Sequence, residues 1–237
     1  MKLSAPIYQL KRRAKLLARD EQIPLHVALD RMARDEGFAG WSLLSARVAT
    51  RAAANDLLSR LSDGDLLLLG ARPGHGKTLL GVQLLLDAIR DGRRGVFFTL
   101  EYTAQQIRAR IRTLAGETSD LGDALEIVTS DEICADYIIR HLADALRGTV
   151  AVIDYLQILD QRRNKPELSE QIVALQKFAQ KAGIILAFIS QIDRSYDSET
   201  KPLPDMQDLR LPNKVDVGLF SKACFLHGGK AEFQVIA

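Results

Sequence analysis

The sequence predicts an α/β fold: a mostly parallel central sheet with helices on both faces, an antiparallel C-terminal edge and a short N-terminal helical region. Three observations predict it. Short apolar runs, each followed by a stretch with helical spacing, recur from Asp65 onward. A glycine-rich loop, GARPGHGKT at residues 70–78, joins one such run to one such helix. After Arg210 the helical stretches stop and strand-like pieces follow one another. Repeated βα units bury their strands between two helical layers, so the strands read as near-continuous apolar runs. Consecutive strands joined by tight turns pair antiparallel.

Taken in order, Ile7, Leu10, Ala14 and Leu17 fall at helical spacing, and Leu25, Leu29 and Met32 repeat it beyond Pro24. Residues 1–60 therefore read as a helical region or linker, punctuated by Gly37 and Gly40. Phe38 and Trp41 fit its small core, or its seam against the larger domain, better than a base-stacking platform. Residues 61–237 form that larger domain. Its strands are expected at Asp65 to Gly70, Gly95 to Leu100, Ala124 to Thr129, Val150 to Leu156 and Ile184 to Ser190. Helical spacing fills Thr78 to Arg90, Ala104 to Leu114, Glu132 to Leu146 and Glu167 to Lys181, with Gly92, Gly116, Gly148 and Gly183 near the ends. Three further strands are expected at Val215 to Phe220, Ala223 to His227 and Ala231 to Ala237, with Gly228-Gly229 as a turn.

Composition narrows the class. A chain of 237 residues with 47% hydrophobic and 26% charged residues can bury a full core. No apolar run approaches the roughly 18 residues that span a bilayer. The start MKLSAPIYQLKRR lacks a long apolar core, and Cys134 and Cys224 are far apart, so a cytoplasmic, reducing location without membrane contact is expected. His26, His75, His141 and His227 show no metal-ligand spacing. The formal net charge of +2 does not by itself announce a nucleic-acid binder. Lys11, Arg12, Arg13, Lys15 and Arg19 nonetheless make the first segment basic. That run is either a solvated helix face or a contact for nucleic-acid phosphate or an acidic partner.

The loop carries the chemistry. Ala71, Arg72, Pro73, Gly74, His75, Gly76, Lys77 and Thr78 occupy the eight positions of G-x-x-x-x-G-K-[ST], with alanine at the first. Between a strand and a helix, such a loop wraps a polyphosphate in backbone N–H groups at the positive end of the helix. Lys77 then reaches the terminal phosphate oxygens and the Thr78 hydroxyl ligates Mg²⁺, which implies a nucleoside triphosphate as cofactor. In an open parallel sheet the ligand lies at the carboxyl ends of the strands. There the sequence places Asp154, after four apolar residues, as the acid that holds Mg²⁺ through its water shell. Glu101 ends another strand, as a base for the attacking water or as a carboxylate favoured by the following helix. Gln191 ends a third, as a γ-phosphate contact or a plain polar terminus.

The strings ARPGHGKT, FFTLEYTAQQIRARI, VIDYLQIL, FISQIDR and PLPDMQDLR stand in the order of the motifs in the ATPase domain of DnaB-type replicative helicases. From about Asp65 to the C-terminus the chain resembles that domain, which implies a RecA-like P-loop core. The resemblance implies Lys77 and Thr78 on phosphate and metal, Glu101 as catalytic carboxylate, Asp154 as metal acid and Gln191 as γ-phosphate sensor. Ala71 in place of glycine is similar to the family as well. The segments after Asp154 and Gln191, which line the central channel in such helicases, hold Arg162, Arg163, Asn164 and Lys165, then Arg194 and Lys201. Basic loops there can grip a phosphate backbone, although Asp160, Glu167, Asp197 and Glu199 also lie in them.

Two departures qualify the resemblance. The family's K-x-R-x-G finger element would begin where this sequence stops, at Ala237, and the large N-terminal primase-binding domain is not recognised. A basic finger supplied in trans is worth roughly 10³ to 10⁵ in rate, so slow turnover with intact binding is expected where it is missing. The implied activity is that of a Mg-ATP-dependent ATPase acting on single-stranded DNA as a homo-oligomer, such as a hexameric ring. The alternative is a nucleotide-gated regulator or helicase loader without translocation.

Overall fold

The computed structural model describes residues 3–54, 56–115, 121–160, 166–197, 200–210, 215–228 and 230–236. Three helices come first: α1 (Ile7–Asp20), α2 (Leu25–Asp35) and α3 (Trp41–Ala54). Pro6 and Pro24 immediately precede α1 and α2, where the fixed proline φ stops the preceding chain without removing a helical hydrogen bond. Leu10, Ala33 and Leu44 bury a small cluster, against which Phe38 and Trp41 pack. The two aromatics thus serve the core rather than a stacking surface.

The larger body alternates β1 (Leu66–Ala71), α4 (Lys77–Arg90), β2 (Gly95–Thr99), α5 (Ala104–Ala115), β3 (Leu125–Val128), α6 (Ala135–His141), β4 (Val150–Asp154), α7 (Leu168–Ala182) and β5 (Ile185–Gln191). Strands β6 (Lys222–His227) and β7 (Lys230–Val235) complete a seven-stranded sheet in the order β3-β2-β4-β5-β1-β6-β7. Neighbours are parallel except β6 and β7, which form the antiparallel edge. β6 itself runs parallel to β1, so the expected antiparallel edge begins one strand later than the change of sequence character suggests.

Period-two alternation splits the apolar residues of each strand between two cores. Leu66 and Leu68 pack with Ile138, Ile172 and Leu175 of α6 and α7. Leu67 and Leu69 pack with Leu80, Leu84, Ile107 and Ile111 of α4 and α5 on the opposite face. Each of these four leucines is at most 1% exposed, and burying one is worth about 1.5–3 kcal/mol. Glycine lets α4 approach closely, since a Cβ at Gly81 would sit 3.0 Å from both Ile189 Cδ1 and Val152 Cγ1. Helix α3 packs on α4 and β7 and so joins the front helices to the body.

Three expectations are corrected. Val215 to Phe220 is not a strand; it contains a 3₁₀ turn, Val217–Leu219, in which the Asp216 carboxylate accepts a hydrogen bond from the Gly218 N–H. A local side-chain bond of this kind competes with strand pairing and wins over the apolar alternation. The strand from Val150 ends at Asp154, and Leu156–Asp160 turns into a 3₁₀ segment. The helix expected over Glu132 to Leu146 contracts to Ala135–His141. The Ala135 N–H donates to the buried Gln171 amide, which fixes where that helix starts.

Candidate nucleotide site at the carboxyl ends of the strands

Strand register gathers the site. Ala71 lies beside Gln191 across the β1–β5 pair, and Thr99 lies beside Asp154 across the β2–β4 pair. Four strands therefore deliver the phosphate loop, Glu101, Asp154 and Gln191 to one rim, although their positions in sequence are far apart. Between Ala71 and α4 the loop turns through Gly74 at φ 79° and Gly76 at φ 92°, a left-handed backbone that a side chain resists. Gly76 caps α4, and no acid stands in the first helical turn. The positive end of α4 is thus open to an anion.

Lys77 and Thr78 are each 8% exposed, and Asp154 is completely buried. Neither carboxylate oxygen of Asp154 has a hydrogen-bond partner. Its pKa is raised to about 6, mainly by burial and with the Glu101 charge acting in the same direction. The Thr78 hydroxyl, Lys77 and Arg110 act in the opposite direction. An unpaired carboxylate of this kind is expensive to bury and is suited to a ligand that brings positive charge.

Glu101 is exposed beyond the end of β2, and its N–H donates to Thr99 Oγ1 at 3.1 Å. It is not the helix cap: Thr103 accepts from the Gln106 N–H, while Gln106 Oε1 accepts from the Thr103 N–H. That reciprocal pair starts α5 and leaves Glu101 to face the site. The Arg110 guanidinium lies 3.9 Å from the Tyr102 ring centroid and acts electrostatically on Asp154. Sequence reasoning missed Arg110. Its signal is a cation placed between Ile107 and Ile111 on the buried side of α5, where solvated charge is not expected.

Gln191 is partly exposed at the end of β5, and its carbonyl accepts from the Arg210 N–H. Nearby, Gln157 donates to the Arg210 carbonyl at 2.6 Å, so the segment after β4 is tied to the DLR string. A further chain of contacts joins the phosphate loop to the segment after β5. Arg72 donates to the carbonyls of Arg194 and Tyr196 and lies 5.4 Å from the Tyr196 ring centroid. His75 stacks on His227 with centroids 4.9 Å apart, and Tyr196 meets His227 edge-on at 5.2 Å. Burial holds both imidazoles below their ordinary pKa. Tyr196 and His227 carry no local motif, and only the tertiary fold shows them at the loop.

The expected channel cations fare differently. Arg194 is exposed. Lys201 is held by Asp205 and Asp208 at 2.6 Å each and so is neutralised within its own loop. Arg162, Arg163, Asn164 and Lys165 lie outside the described residues. Among the described residues no group of three or more His, Cys, Asp or Glu side chains converges on a point, and no helix is long and apolar enough to cross a membrane.

A mostly parallel sheet with helices on both faces, a glycine loop after β1 and a buried acid two strands away define a phosphate-loop ATPase with a RecA-like core. The chain belongs to the family described as ATPase: KaiC, whose model matches residues 55–203. Its ATPase domain is of the DnaB type. It is 26% identical over 211 residues to the replicative DNA helicase DnaB of Helicobacter pylori strain J99, covering 73% of this chain and 43% of the relative. The DnaB of Mycoplasma pneumoniae is 25% identical, with coverages of 75% and 46%. A probable plasmid replicative DNA helicase of Chlamydia trachomatis is 27% identical, with coverages of 66% and 41%. The chain spans less than half the length of these relatives. The solved ATPase domain of G40P shares the fold at TM-score 0.59 and 17% identity, covering 76% of this chain and 75% of that one. A DnaB-like replicative helicase solved with its primase interactions in view gives 0.55 and 17%, with coverages of 70% and 49%.

Proposed function

We propose that this chain is a Mg-ATP-dependent ATPase that acts on single-stranded DNA as a homo-oligomer, in the manner of a replicative helicase. The observation that carries the reading is the buried, unpartnered carboxylate of Asp154 beside Lys77 and Thr78 at the start of α4. A site of this composition fits Mg²⁺, a hard cation satisfied by oxygen ligands. Thr78 and Asp154 would hold the ion, which supplies charge neutralisation on the phosphates. The loop from Ala71 to Gly76 cradles the polyphosphate with its backbone N–H groups, and Lys77 binds the terminal oxygens. Glu101 accepts the proton of the attacking water, and the Gln191 amide contacts the γ-phosphate. Arg194 contributes to the DNA-contacting surface, together with Arg162, Arg163 and Lys165.

The same reading divides the chain into a helical region over residues 1–60 and the ATPase domain over residues 61–237. The separate small cluster around Leu10, Ala33 and Leu44 supports that division. A decisive experiment measures steady-state ATP hydrolysis with and without single-stranded DNA while light scattering gives the mass, with Lys77→Ala as the binding-deficient control. DNA-stimulated turnover by a ring is the expected result. Tight ATP binding by a small, DNA-indifferent species would replace the motor with a nucleotide-gated regulator.

A further inference from the structure

We infer that the outer face of α1 is a second single-stranded DNA contact, separate from the nucleotide site and its neighbouring loops. Tyr8, Arg12, Lys15 and Arg19 follow one another at spacings of four, three and four, which on a helix places them on one stripe. All four are exposed, as is Lys11 beside them, and Tyr8 is 68% exposed. The stripe lies opposite the buried Leu10 and Ala14. Arg13, off the stripe, instead lies near Glu36 and contributes to holding that carboxyl below its ordinary range, behind the hydrogen bonds from Ser4.

A merely solvated helix face alternates its charges so that residues three and four apart attract. This one does not. Lys11 and Lys15, Arg12 and Lys15, and Lys15 and Arg19 are like-charged neighbours, and α1 holds no acid before Asp20. Elsewhere on the surface some cations are paired within the chain, as in Arg31–Glu21, Arg60–Asp56 and Arg94–Glu126. Among the described residues no carboxylate lies within ion-pair distance of Lys11, Arg12, Lys15 or Arg19. The stripe is therefore available to an anionic partner.

Geometry favours a nucleic-acid backbone. With a helical rise of about 1.5 Å per residue, Arg12 to Arg19 reaches roughly 10 Å, long enough for the stripe to follow a strand across successive phosphates. Tyr8 at the end of the stripe offers a ring on which an unpaired base can stack, and a single strand presents such bases where a duplex does not. Helix α3, whose face is taken up by α4 and β7, is not available for this role. The choice of DNA rests on the proposed function, but the surface does not depend on hydrolysis.

The test uses the full chain without nucleotide and follows binding of labelled oligothymidylate by fluorescence anisotropy across a salt series. For single strands the logarithm of affinity falls with that of salt by about 0.7 per neutralised phosphate. Arg12→Ala/Lys15→Ala/Arg19→Ala should therefore flatten the slope by about 2, with DNA-free ATP hydrolysis unchanged. Lys15→Glu, which turns three repulsions into attractions, should weaken binding while leaving the melting temperature equal or higher. An unchanged slope in the triple variant overturns the proposal. So does equal affinity for a duplex of the same length, or displacement of the oligonucleotide by polyglutamate at matched charge. Wild-type protein that binds through α1 yet hydrolyses ATP without regard to DNA would remove the motor reading and leave this surface standing.

Discussion

At the scale of single residues, the metal role proposed for Asp154 opposes stability. Its charge is buried without a partner, and such a group destabilises the protein until a cation arrives. Asp154→Asn should therefore raise the stability of the metal-free protein at neutral pH, by on the order of 1–3 kcal/mol, while lowering ATP hydrolysis at least a hundredfold. Urea denaturation in EDTA beside a steady-state assay measures both; a destabilised variant would mean that the carboxylate has a structural partner instead. Asp154, Lys77 and Thr78 were legible in the sequence because each sits in a short pattern with its own physical reason: a glycine loop before a helix, an acid after an apolar run. Arg110 was not, since its position between Ile107 and Ile111 marks it as partly buried without telling which strand end it acts on. Tyr196 and His227 were not either, because contacts across the sheet order leave no periodicity in the chain.

At the scale of elements, β1 was legible from its four leucines, while its lateral anchoring was not. Asp65, just before β1, accepts hydrogen bonds from the Ser62 N–H and Ser221 Oγ and pairs with Lys222 at the start of β6. Burial works to raise its pKa, but the hydrogen bonds from Lys222, Ser62 and Ser221 outweigh it and the net value is lowered. A carboxyl whose folded pKa is depressed contributes stability above its unfolded pKa, and that contribution is lost as pH falls through the folded value. Asp65→Asn should accordingly cost roughly 1–3 kcal/mol at pH near 7, and the difference from wild type should shrink once pH drops below the ordinary carboxylate range. Urea midpoints along an acid series decide this; a pH-independent difference would show that packing, not the ion pair, holds β6 to β1. The misread Val215 to Phe220 segment belongs to the same scale. Its alternation resembled a strand, and the Asp216 bond to Gly218 diverted it.

At the scale of the whole molecule, the sheet and the front helices differ in how they are held. The sheet has two extensive cores, one on each face, and its central strands are buried throughout. The front helices rest on a small cluster around Leu10, Ala33 and Leu44, and α1 and α2 reach the body chiefly through α3. Opening free energy follows the apolar contact that must be broken. Helices α1 and α2 should therefore exchange their amide hydrogens by a lower-energy opening than β1, β4 and β5, with α3 intermediate because one face docks on α4 and β7. The repulsion among Lys11, Arg12, Lys15 and Arg19 adds to this looseness in low salt, and salt screens it. Exchange in α1 should then slow as ionic strength rises, while exchange in β4 stays constant. Hydrogen-exchange mass spectrometry at two salt concentrations reads both trends. If α1 exchanges as slowly as β4, the front helices unfold only with the sheet, and the chain behaves as one cooperative unit rather than the two proposed.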